Sequence, residues 1–92
     1  MTKLTNLEEK VMKAIVKDDF YEAGFDSALW VDILLDQNLN IGGKVGRGVI
    51  SSLIKKDFII ATGDGAIYLE EKGKAWLLEQ GLVNEEGFEI RS

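Results

Sequence analysis

Between Asn38 and Lys56 the chain carries four basic residues, Lys44, Arg47, Lys55 and Lys56, and no acidic one. The stretch before it, Asp18 to Asp36, has six acidic residues and no basic one. A chain of net charge −5 therefore contains a local reversal of sign. At about 100° of rotation per helical residue, Lys44, Arg47, Gly48, Ser51 and Lys55 share an arc of about 100°. Val45, Val49, Ile50, Leu53 and Ile54 cluster on the other side, with Gly46 among them. Cationic side chains and a hydroxyl in one stripe suit phosphate oxygens and the acceptor edges of bases. Gly48 on that face leaves room for close approach, although a mid-helix glycine costs about 1 kcal/mol relative to Ala. Gly46 reads instead as a packing glycine. The competing reading of the stripe is an ordinary solvated helix face.

Other chemistry is poorly supplied. The chain has no histidine and no cysteine, which removes the commonest general base, the commonest zinc ligand and any thiolate nucleophile. Gly42-Gly43-Lys44-Val45-Gly46-Arg47-Gly48 suggests a phosphate loop but lacks its spacing and a preceding strand. Asp32 and Asp36, four apart on a helix, read as a solvated strip rather than a cation site. Asp18-Asp19 reads as a helix end, and Glu85-Glu86 as solvated. Nothing assembles an acid, a base and a nucleophile, so the expectation is a non-enzyme with no cofactor and no metal.

The elements that would position the stripe follow from periodicity and capping. Thr5 with Glu8 three residues on forms a capping-box signature opening a helix over about 6–19. Phe20 to Phe25 is a connector. Asp26 or Ser27 can cap a second helix over about 27–37, apolar nearly all round apart from Asp32 and Asp36. That apolar excess is covered by the connector and tail, or it forms a subunit interface. Asn38 to Gly43 is a turn, because Asn and Gly tolerate left-handed backbone angles. A third helix runs over about 43–56. Phe58–Ala61 and Ala66–Leu69 read as two strands joined at Thr62-Gly63-Asp64-Gly65, a β-hairpin. Residues 70–80 form a last helix with Gly81 as its cap. The tail over 82–92 is acidic, and Phe88-Glu89-Ile90 alternates as an added strand would.

Ninety-two residues suit one domain, with a core over about 6–80. No apolar run approaches the roughly 20 residues a membrane span needs. The N-terminus shows no signal core, so the expected location is intracellular, in the cytoplasm.

The segment from Ile41 to Ile59, with Lys44-Val45-Gly46-Arg47-Gly48-Val49-Ile50 followed by Lys55-Lys56-Asp57-Phe58-Ile59, resembles the recognition helix and first wing strand of MarR- or PadR-like regulators. Asp57 stands where that pattern usually has Gly, so it must tolerate a left-handed conformation. Ile67-Tyr68-Leu69-Glu70-Glu71-Lys72-Gly73-Lys74 is similar to the family's exit from the wing, with Glu70 in place of Thr. The resemblance covers roughly 7–80. It implies an α+β, mainly α, winged helix-turn-helix fold of three helices, a β-hairpin wing and a C-terminal helix. It also implies double-stranded DNA as partner, in a bacterial or phage-like transcriptional regulator. Carried over, Lys44 and Arg47 would meet base edges, Ser51 a base or a phosphate, and Lys55 the backbone, with Gly48 allowing approach. A homodimer through Trp30, Leu34, Trp76 or Leu78 would double the contacts. The acidic wing tip and total charge favour the alternative, a winged-helix module that binds a protein partner and no DNA.

Overall fold

Helix α1 (Asn6–Lys17) opens on the expected capping box. The Thr5 hydroxyl accepts from the Glu8 amide at 3.2 Å, and the Glu8 carboxylate accepts from the Thr5 amide at 2.8 Å. Lys10, Lys13 and Lys17 stay exposed, while Val11, Met12, Ile15 and Val16 are buried. The helix stops at Asp18, whose extended backbone breaks it and whose carboxylate accepts from the Phe20 amide at 2.8 Å. Asp18 is thus a helix end, as expected. The computed structural model describes residues 3–18, 20–39, 41 and 43–90, so Asp19, Asn40, Gly42 and the last two tail residues lie outside the description.

The second helix predicted over 27–37 is replaced by three shorter pieces. Gly24–Asp26 forms a 3₁₀ turn, closed by the Ser27 hydroxyl accepting from the Ala23 amide at 2.9 Å. Ser27 therefore bonds backwards and caps no following helix. Leu29–Trp30 is a strand, β1, and only then does the chain turn helical, with Ile33–Asn38 forming a wide, π-type turn. Its width shows in the bonding: the Leu39 amide reaches back five residues to the Leu34 carbonyl, and the Ile41 amide six residues to that of Leu35. Leu29 and Trp30 leave the helix because the hairpin offers a ladder: Leu29 pairs with Ile67, Trp30 with Ala66, and the Val31 amide donates to the Gly65 carbonyl.

Helix α2 (Gly43–Lys55) enters from a left-handed Gly43. At its exit the Phe58 amide donates to the Leu53 carbonyl and the Asp57 amide to that of Ile54, with Asp57 left-handed at φ 62°. This is a Schellman closure with Asp in the glycine position. Strands β2 (Ile59–Ala61) and β3 (Ala66–Leu69) make the expected hairpin, and the three-stranded antiparallel sheet runs β1-β3-β2. Helix α3 (Glu71–Glu79) follows and closes the same way at a left-handed Gly81. Met12, Leu34, Leu53, Ile59, Ile67 and Leu77 bring every layer into one core.

The tail is part of the fold. Val83 is buried and bridges to Glu89, so the expected extra strand shrinks to one antiparallel bridge. The Tyr21 hydroxyl, buried under the tail, donates to the Gly87 carbonyl at 2.5 Å. A Cβ on Gly24 would strike the Glu86 carbonyl, and one on Gly87 would strike the Phe25 ring, so connector and tail touch at bare backbone. The chain is an α+β fold whose element order is compatible with a winged helix.

Candidate nucleic-acid interface

α2 presents its expected outer face. Lys44, Arg47, Gly48, Ser51 and Lys55 are all exposed, while Gly46, Val49, Ile50 and Leu53 are buried. Three of the four basic residues in this stretch, Lys44, Arg47 and Lys55, make no ion pair with any described residue. A Cβ on Gly48 would meet nothing within 4 Å. The helix therefore offers a strip of cations and a hydroxyl around a patch of bare backbone.

The fourth cation has another role. Lys56 Nζ lies 2.7 Å from a Glu8 carboxylate oxygen, and the Ser52 hydroxyl donates to the other oxygen at 2.7 Å. The Glu8 side chain is only 1% exposed. Burial alone would push its carboxyl up. The hydrogen bonds from Lys56, the Thr5 backbone, Ser52 and the Thr5 side chain outweigh that and hold it at about 2. This network fixes the C-terminal half of α2 against the start of α1, and so sets the direction in which the free strip faces. Sequence spacing showed Glu8 only as a capping residue. The available signal was its position on the buried side of α1, one turn before Val11, where a carboxylate requires partners.

Val45 departs from its expected place. It was grouped with the inner apolar residues, but it is 58% exposed, at the margin of the apolar arc of α2. Gly46 does what was expected: a Cβ there would collide with the Ile41 carbonyl and crowd Leu35. The wide turn can therefore fold directly back onto α2.

The other proposed contact residues divide. Trp30 and Leu78 are exposed, whereas Leu34 and Trp76 are buried in the core. Leu34 is drawn inward because the wide turn packs on α1, and Trp76 because α3 closes over the same core. Asp32 and Asp36 are both exposed, as a solvated strip would be. At the wing tip, the Thr62 hydroxyl bonds the Asp64 carboxylate, which lowers its pKa and keeps this exposed group charged. The wing thus presents negative charge.

No protein-family model, curated protein or solved structure matches the chain.

Proposed function

We propose that the chain is a small winged helix-turn-helix DNA-binding regulator that lays α2 in the major groove of double-stranded DNA. The observation that carries this reading is the outer face of α2. Lys44, Arg47 and Lys55 are exposed and unpaired among the described residues, and Gly48 leaves the backbone open between them. The order α1, β1, wide turn, α2, β2, β3 also supports it. So does the resemblance of residues 41–59 and 67–74 to MarR- or PadR-like regulators. Lys44 and Arg47, in the first half of α2, would meet base edges. Ser51 would reach a base or a phosphate, and Lys55 would hold the backbone.

Three cations on one protomer release few counterions, so a single copy binds weakly and with strong salt dependence. Two copies on paired half-sites would double the contacts, with exposed Trp30 and Leu78 available at the subunit contact. The test is selection of bound sequences from a random duplex pool at low and moderate salt. A selected duplex should lose the doubly substituted Lys44→Ala, Arg47→Ala chain. The slope of log affinity against log salt should fall by roughly one for each cation that touched a phosphate. No selectable duplex at low salt overturns the proposal.

A second reading keeps the fold and exchanges DNA for a protein partner. Its supporting observation is the outer face of the sheet, where Trp30 (41% exposed) and Ile60 (43% exposed) flank Tyr68. On this reading no duplex is selected. A partner cross-linked in native lysate is then lost on Trp30→Ser, Ile60→Ser substitution but kept on Lys44→Ala, Arg47→Ala substitution.

A further inference from the structure

We propose that Val45 is a base-reading side chain that seats the C5-methyl group of a thymine beside the base met by Lys44. The inference rests on the nucleic-acid reading of α2 and gives that face a specific sequence preference.

Among the exposed large hydrophobic side chains of the described residues, Val45 is the most exposed, at 58%. Single exposed apolar residues are common and need no explanation by themselves. The surroundings of this one are what point to a ligand. It lies one residue beyond Lys44 and three before Gly48, on the flank of the strip rather than over the core. Gly48, three residues on and on the same flank, would place a Cβ with nothing within 4 Å of it outside its chain neighbours and the helix's own backbone. With glycine there, position 48 has no side chain to shield the isopropyl group.

Local helix physics gives no reason for a valine here. A β-branched residue at an exposed helical position is less favourable than Ala by about half a kcal/mol. The other exposed side chains of the strip are all hydrogen-bonding groups: Lys44, Arg47, Ser51 and Lys55. They address acceptors, which means phosphates, guanine edges and the thymine O4. In the major groove the one apolar group on a base-pair edge is the thymine methyl. Val45 is the complement to that group which the rest of the strip does not supply.

The experiment uses the duplex selected by the full chain. Each thymine is replaced in turn by deoxyuridine, which removes only the methyl, and both the unaltered chain and Val45→Ala are titrated against each duplex. One replacement should weaken the unaltered chain by about fourfold, the equivalent of one buried methyl group. Val45→Ala, with a shorter apolar side chain, should distinguish the thymine and uracil forms of that duplex less than the unaltered chain does. If no replacement alters binding, or if Val45→Ala distinguishes the two bases as well as the unaltered chain, the Val45 inference is overturned while DNA binding stands. If no duplex is selected at all, both fall together. The uracil series on the unaltered chain is independent of how well the variant folds.

Discussion

Gly46 and Gly48 lie two residues apart on one helix and answer to opposite constraints. Gly46 faces inward, where an added methyl would collide with the Ile41 carbonyl. Gly46→Ala should therefore destabilise the fold by about 1–3 kcal/mol, the usual cost of overpacking against something that cannot move aside. Gly48 faces open space. Gly48→Ala should stabilise the chain by about 1 kcal/mol, since Ala is the better helix former. Urea midpoints of the two variants should move in opposite directions. If close approach of backbone to a ligand is the role of Gly48, its more stable variant should also bind the selected duplex more weakly. The helical period assigned both glycines to their faces from sequence. Val45 was assigned to the wrong side because rotation places it at the margin of the apolar arc, about 100° from Lys44. At a margin, the reach of the neighbouring core decides exposure, and a local pattern does not contain that information.

Among the elements, α1 and α2 are joined by a charge. Glu8 titrates near 2 in the folded chain against an ordinary value of 4.5. A carboxyl depressed in this way contributes stability that is fully present above pH 4.5 and is lost as pH falls towards 2. A depression of this size corresponds to something on the order of 3 kcal/mol for a buried group. Denaturant midpoints measured across that window should fall steeply for the unaltered chain and much less for Glu8→Gln. At pH 7 the same variant should be the less stable one, because the Gln amide has no charge and only one acceptor oxygen where Lys56 and Ser52 each bond their own. If Glu8→Gln follows the acid profile of the unaltered chain, the network is not the cause. The capping box, α2, the hairpin and both helix ends could be read from sequence, because each is signalled within a few residues. The left-handed backbone of Asp57 followed from the resemblance, in which it takes the place of a helix-ending Gly. The strand Leu29–Trp30 could not be read. Its local pattern is apolar on every side, and its strand character comes from a hairpin far along the chain. The partners of Glu8 were hidden for the same reason.

At the scale of the whole molecule, the acidic tail is held to the connector by Tyr21. Burial pushes the Tyr21 hydroxyl up to about 12. Its contribution to stability is fully present below the ordinary value of 10 and is lost as pH rises towards 12. Tyr21→Phe should remove that alkaline dependence. It should also cost about 1–2 kcal/mol at neutral pH by leaving the buried Gly87 carbonyl without its donor. Faster hydrogen exchange at the Asn84 and Ile90 amides, with little change at those of α2, would place the effect in the tail.

That bond spans 66 residues of chain, which has a consequence for folding kinetics. Bringing such distant segments together costs loop entropy before the contact is made, so it is expected to form late. A contact absent from the folding transition state leaves the refolding rate alone and appears wholly in the unfolding rate. Tyr21→Phe should then leave the refolding arm of a chevron in place and raise the unfolding arm. The clasp at the edge of the molecule would then lengthen the lifetime of the folded chain without altering the rate at which that chain forms.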